Sequence, residues 1–325
     1  LSTYTFQPDF AYIATEALDV LQISQDGESL DNNHLQRLRR AYNSMVKGWQ
    51  TQGMLMWAHD EGLLFLQKGS AKYDLSQTDS TKADYARIVN DWVDDKLTAD
   101  SVATDTTITV VDGSQFTDAF AIGIVLDSGV AFWTTINGAP AGNVITLTDP
   151  LPSDASTSSV VYSYDLTAEF KPISRMIGDE AFRRLEFNND NYEVICTSID
   201  RVTYFQYPDK NTQAAPQQVF YARKDTMEDN TSQFYVWNTP DSGNYGLRFS
   251  YDRQLRVIET KEDLIDFPDY WTEAIIWNLA QKVKTRFGCS PQLSQEIDNN
   301  AALELNNALN YETPVTDIVI TMDDY

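Results

Sequence analysis

Cations, cysteines and histidines are scarce in this chain, and each shortage narrows what the protein can do. Lys and Arg number 24 against 48 Asp and Glu in 325 residues, for a formal net charge of −24. Gripping nucleic acid through its phosphates takes a basic footprint, so the balance argues against a sequence-reading nucleic-acid binder. An acidic wall past which DNA slides stays open, because it repels phosphate. Cys196 and Cys289 are the only cysteines, far apart and without a CxxC pair. They argue against a disulfide scaffold and fit reduced thiols in a protein made in a cytoplasm. His34 and His59 are the only histidines, and His59-Asp60-Glu61 is not HExxH. A metal site draws on several convergent ligands, so no metal or cofactor is expected. GxSxG, the P-loop and GxGxxG are all missing, which removes the commonest nucleophile and phosphate signatures. Carboxylates are so numerous that a pair at glycosidase spacing would arise by chance, and no catalytic residue is named. No apolar run approaches the roughly 20 residues of a membrane span, and no leader-like segment opens the sequence as given. No membrane partner is expected.

What is present is helical periodicity at both ends of the sequence. Phe10, Ile13, Ala17, Val20 and Leu21 make an apolar stripe on a helix near 9–24, broken by Gln25-Asp26-Gly27. Asp31 is the expected N-cap of a second helix, its carboxylate accepting from free backbone N–H groups. Leu35, Leu38, Tyr42, Met45 and Trp49 line the buried side of that helix in a heptad-like pattern. Gln36, Arg37, Arg40, Asn43 and Lys47 occupy the opposite face, and Gly53 supplies the left-handed stop. Near the other end, Pro268 and Asp269 open a helix carrying Ile275, Leu279, Val283 and Phe287, which Gly288 ends. Ser290-Pro291 restarts the chain, and Leu293, Ile297, Ala301, Leu305 and Leu309 form the last stripe.

Between these ends the texture is β. Leu63–Leu66 reads as a strand and Tyr73-Asp74-Leu75 as its returning partner, while 82–97 fits helix or strand. From 101 to 165 five short strands follow, at 106–111, 122–126, 132–136, 144–147 and 160–164, without a single Lys or Arg. Further strands are expected at 193–198, 201–206, 219–223, 234–237 and 246–251, separated by turn residues. The fold class expected is α+β: a discontinuous helical bundle from the N- and C-terminal helices, an antiparallel β region, and an inserted small β-barrel or sandwich module. The segments are 1–100 (first half of the bundle plus a short hairpin), 101–165 (inserted β domain), 166–265 (antiparallel region), 266–311 (second half of the bundle) and 312–325 (extended tail).

Four places together resemble the portal–tail adaptor proteins of short-tailed bacteriophages, also called tail accessory factors or tail tubular protein A. They are Arg40-Ala41 through Gly53 into Met56-Trp57; Glu61–Leu66 with Gly69 and Tyr73-Asp74-Leu75; Ile199-Asp200-Arg201 and Tyr204 leading to Gln218–Tyr221; and Asp266–Trp271 continuing through Trp277–Ala280 to Phe287-Gly288. The resemblance covers most of 1–100 and 166–311; residues 101–165 depart from the minimal pattern. It implies first and last helices in one bundle and a dodecameric ring of copies below the portal protein. The ring would join the portal to the tail nozzle at the head–tail junction of the virion, after assembly in the bacterial host cytoplasm. Genomic DNA would pass through the channel on ejection without specific binding.

Two candidate portal contacts follow. The basic face of the second helix offers Arg37, Arg40 and Lys47, whose charges would set register more than affinity. The tail offers Val315, Ile318, Ile320, Met322 and Tyr325 as an extended strap docking by strand addition. The alternative is a tail-associated carbohydrate-binding or carbohydrate-cleaving accessory protein using the β module or the aromatic sheet.

Overall fold

The computed structural model describes residues 6–23, 31–54, 58–74, 88–168, 172–177, 182–223 and 232–312. Among them the protein is mixed α/β. The helices are α1 (Phe10–Val20), α2 (Asn32–Gln52), α3 (Arg201–Gln206), α4 (Thr272–Phe287) and α5 (Pro291–Glu312). None of the described helices is long and apolar enough to cross a membrane. The chain divides into two compact units, one from residues 1–59 with 254–325 and the other from 60–253.

In the first unit, α1, α2, α4 and α5 bury their apolar stripes in one hydrophobic cluster. Leu38, Tyr42, Met45 and Trp49 of α2 are all buried, as their spacing predicts. Trp271 is fully enclosed, with the rings of Trp49 and Phe267 centred 5.5 and 5.6 Å away. Gly53 at φ +69° and Gly288 at φ +81° end α2 and α4 in the left-handed conformation that glycine adopts without strain. Ser290 opens α5, its Oγ accepting from Leu293 N at 3.3 Å and its carbonyl from Ser294 N at 2.8 Å. Asn278 of α4 donates to the carbonyls of Ala274 and Ala301 (2.8 and 3.0 Å), tying α4 to α5. One expected cap is corrected: the Asp31 carboxylate makes no capping bond, and α2 begins with the Asp31 carbonyl accepting from Leu35 N at 3.0 Å.

The second unit holds the strands. They are β1 (His59–Phe65), β2 (Lys72–Asp74), β3 (Ile88–Val89), β4 (Val93–Lys96), β5 (Thr107–Thr109), β6 (Ala121–Val125), β7 (Ala131–Thr135) and β8 (Val144–Thr146). β9 (Val160–Tyr164), β10 (Ile173–Met176), β11 (Phe182–Glu186), β12 (Tyr192–Ser198), β13 (Gln218–Ala222), β14 (Gln233–Trp237) and β15 (Tyr245–Arg253) follow. A nine-stranded sheet runs β2-β14-β13-β12-β11-β15-β1-β3, with β10 on β15. The expected hairpin of β1 with 73–75 is corrected. β1 is flanked by β15 and β3, so β2 pairs with β14 at the far edge; Leu75 lies outside the described residues.

The strand expected at 201–206 is helix α3. Asp200 caps it, its carboxylate accepting from Thr203 N at 2.7 Å, a local bond that outweighs the β-prone side chains of Val202 and Tyr204. The α3 crossover also makes the sheet mixed: β12 and β13 pair in parallel, which a hairpin could not produce.

Residues 93–164 close into a small barrel. β4-β9-β6-β7 form one antiparallel sheet and β5-β8 another. Bridges between Ile136 and Leu147, and between Leu97 and Val110, continue β7 onto β8 and β4 onto β5. Five of its six strands stand where the sequence placed them. The sixth, β4, falls in the ambiguous 82–97 stretch. Leu97, Ile108, Val110, Ile122, Ile124, Ile145 and Val161 fill the interior. β6 is buried on both faces because Ala121 and Val125 on the outside pack with Phe65 and Leu185 of the large sheet. Gly123 lies under rings: an added Cβ would sit 2.7 Å from Tyr162 and 2.8 Å from Trp133.

Candidate functional site

The second helix was the expected home of a basic contact face, and the structure splits that face in two. Arg37 and Arg40 are exposed, and neither has an ion pair or hydrogen bond among the described residues. Lys47 is corrected. It is half-buried, its ammonium 3.5 Å from the Leu255 carbonyl and from Gln50 Oε1, and burial pulls its pKa down. Asn43, also expected on the solvent face, exchanges both hydrogen bonds of a peptide group with Ile258: Nδ2 donates to its carbonyl and its N–H donates to Oδ1, each at 3.0 Å. Arg39 donates to the Glu259 carbonyl. Arg39, Asn43 and Lys47 stand four residues apart, so they form one row along the helix and hold the irregular segment 255–259 by its main chain.

That segment is fixed from its other side by Asp263. Its carboxylate accepts from Thr260 Oγ1 and from the N–H groups of Glu259 and Thr260 (2.5–3.0 Å). These bonds, the Thr260 hydroxyl first, hold its pKa down at about 2. Between this segment and the start of α2 lies an open cleft of about 280 Å³, with Phe10 and Leu35 as apolar wall and Gln36, Arg39 and Lys261 among its polar lining.

The barrel shows a second pattern that the sequence did not disclose. Every Asp from 100 to 165 has its carboxylate oxygens met by N–H or O–H groups of the barrel itself. Asp100 accepts from Thr157 N, Asp105 from Val102 N, Asp112 from Ser114 N and Asp118 from Gly138 N (2.7–3.0 Å). Asp127 accepts from Ser156 N, Asp154 from Ala103 N, Asp165 from Thr167 N and Asp149 from the Thr134 hydroxyl (2.7–2.9 Å). For Asp100 and Asp112 these bonds push the pKa below the ordinary carboxylate value. The acidic edges of the module are therefore turn and loop locks. Among the described residues, no group of three or more His, Cys, Asp or Glu is placed to hold a metal.

His34, Cys196 and Arg184 are engaged within the fold. His34 meets Phe287 edge-on at 5.1 Å. Cys196 is buried, and burial pushes its thiol up to about 11; Cys289 is a free, half-buried thiol. Arg184 is buried between Glu186 (2.5 Å) and the Pro216 carbonyl (2.5 Å), with its guanidinium over the Tyr245 ring. Of the expected partner-binding residues, Arg37 and Arg40 remain available. Val315, Ile318, Ile320, Met322 and Tyr325 lie outside the described residues. A scan against protein-family models and a search of curated proteins both find no match to this chain.

Proposed function

We propose that the protein is a structural subunit of a ring adaptor at a bacteriophage head–tail junction. It would sit between the portal protein and the tail nozzle and extend the channel through which DNA leaves. The single observation that carries this reading is the first unit. Residues from both ends of the chain share one core, with the whole β region strung between them, and the adaptor resemblance implies that connectivity. In this reading the four long helices act as a bundle, and copies meet through unlike surfaces, as closed rings require. The formal charge of −24 suits a lumen that DNA crosses without sticking. Arg37 and Arg40 are the portal-facing cations, since Arg39 and Lys47 are committed to the 255–259 segment. The strap after α5 is a second contact element. The role is structural, with no catalytic residue and no cofactor.

Mass photometry of the purified protein, with and without portal protein, tests this. A discrete ring-sized species on the portal is expected. Reversing both charges, Arg37→Glu with Arg40→Glu, should weaken portal association about tenfold or more, with a slower on-rate, because charges of this kind act on encounter and register. Monomers that persist in the presence of portal would overturn the reading. The carbohydrate alternative has less behind it. The rings of Tyr204, Phe220 and Tyr235 pack against each other, and Tyr207 stacks on Trp237 at 4.5 Å, so these aromatics are partnered within the sheet.

A further inference from the structure

Among the described residues, β12 lies inside the nine-stranded sheet yet is paired on one side only over most of its length. Its partner β11 pairs with all of Tyr192–Cys196. On the other side, β13 pairs only with Thr197 and Ser198. Thr197 and Ile199 donate their N–H groups toward β13, to the Gln217 and Val219 carbonyls at 2.9 Å. Backbone direction alternates along a strand, so the N–H and C=O groups of Glu193 and Ile195 point the same way, into the place where β13 has not yet begun. Pro216 sits at that break. It has no N–H to give a ladder, and its carbonyl is taken by the Arg184 guanidinium and the Cys196 thiol.

Tyr192 and Ile195 of this stretch are 59% and 52% exposed, and Glu193 between them is paired with Arg248 at 2.7 Å. Val202 and Phe205 of α3, at 63% and 55%, are exposed as well. Lysines, prolines and bulges usually guard a free edge, and the sequence Tyr192-Glu193-Val194-Ile195 has none of the first two. Among the described residues, none pairs with the outward main-chain groups of Glu193 and Ile195.

We propose that this edge receives the 315–322 run of a second copy of the chain, which adds to β12 as a strand in line with β13. The chemistry of the two surfaces matches. Val315-Thr316-Asp317-Ile318-Val319-Ile320-Thr321-Met322 is rich in β-branched residues and carries a single charge, Asp317. Copies of a chain with formal charge −24 repel one another, and low-charge surfaces are where they can meet at least cost. Main-chain hydrogen bonds supply the attraction and the alternating side chains supply register. Residues 313–325, fully extended, reach at most roughly 45 Å beyond the end of α5, which is ample for a neighbouring subunit. This pairing stands on the β12 edge alone and does not require the adaptor reading.

Disulfide trapping between two full-length variants tests it, in a Cys289→Ser background where Cys196 stays buried and unreactive. One protein carries Ile195→Cys; the other carries Ile318→Cys, Val319→Cys or Ile320→Cys. The expected result is cross-linking between molecules that follows strand alternation: 318 and 320 react while 319 does not, or the reverse. Adding Ile195→Pro to the acceptor, with Glu193→Cys as the thiol, should cut the yield about tenfold, because proline removes the outward N–H. Ile195→Ala in the same place should leave the alternation intact. Yields equal at all three positions, or no higher than with an exposed Val111→Cys acceptor in the barrel, would overturn the proposal. So would cross-links confined to single molecules.

Discussion

In the helical unit, side chains reach out to satisfy main chain and charge. Lys284 pairs with Asp298 at 2.6 Å, Gln281 supports the same carboxylate, and the Arg39–Asn43–Lys47 row holds the carbonyls of 255–259. In the barrel the direction is reversed: the main chain reaches out to satisfy the side chains. There is no Lys or Arg between Lys96 and Lys171, and backbone N–H groups meet most of the aspartates there, with the Thr134 hydroxyl meeting Asp149. The difference separates two meanings of acidity. In the first unit some carboxylates, such as Asp298, are balanced by cations that salt can screen, although Asp263 is held by main-chain N–H groups there too. In the barrel each carboxylate from Asp100 to Asp165 is tied to an N–H or O–H group, so these acidic edges are part of the scaffold.

That contrast predicts that the two regions fail separately. The largest effect should come from Trp271→Ala, which empties the enclosed site between Trp49 and Phe267. Large-to-small changes of this kind cost about 3–5 kcal/mol. Hydrogen exchange should show α1, α2, α4 and α5 losing protection while β5 to β9 keep theirs. A uniform loss over both units would break the comparison, because it would mean that the protein unfolds as one cooperative block.

The reciprocal change is Gly123→Ala. Its Cβ would collide with the Tyr162 and Trp133 rings at 2.7–2.8 Å. Neither ring has free space, since both pack with Phe65 on the barrel's outer side. Overpacking of this kind costs about 1–3 kcal/mol. Protection should fall in β6, β7 and β9 and stay unchanged in α4. An undisturbed barrel would show that the rings yield more readily than their packing implies.

How much of this was legible in the sequence differs between the regions for physical reasons. The helix stops at Gly53 and Gly288, the Ser290 start of α5 and the strand positions of the barrel rest on local chemistry, which one stretch of sequence contains. Lys47 and Asn43 were misplaced because periodicity gives the apolar stripe of a helix, whereas the row that meets an irregular segment is decided by tertiary packing. β4 escaped because Val93-Asp94-Asp95-Lys96 has no alternation to read; all four residues are half-buried. α3 hid behind β-prone residues, and the cap at Asp200 was the signal that could have found it. The barrel's locks were half legible. Asp112 to Ser114 and Asp165 to Thr167 are short Asx turns, but Asp100 to Thr157 closes across the fold, and no local reading reaches that far. The open edge of β12 was invisible because it depends on where β13 begins.

The finest test of the contrast lies in acid and salt. Asp100 accepts from both the N–H and the hydroxyl of Thr157, and these bonds depress its pKa, the main-chain bond first. A carboxyl whose folded pKa lies below its unfolded value adds stability above that unfolded value, near 4. The contribution is lost as pH falls through the folded pKa. Asp298 in the helical unit follows the same sign, but its depression comes first from Lys284. Acidifying from about pH 5 to 2 should therefore weaken both regions. Raising salt to about 1 M should blunt the Asp298 contribution and leave that of Asp100 in place, because an ion pair is screened and a bond to a backbone N–H is not. Asp100→Asn keeps an acceptor and removes the titration, so its barrel should show a flatter loss of exchange protection across the same acid range. An Asp100 contribution that fades with salt as fast as that of Asp298 would place a cation near the barrel and end the distinction between lock and ion pair.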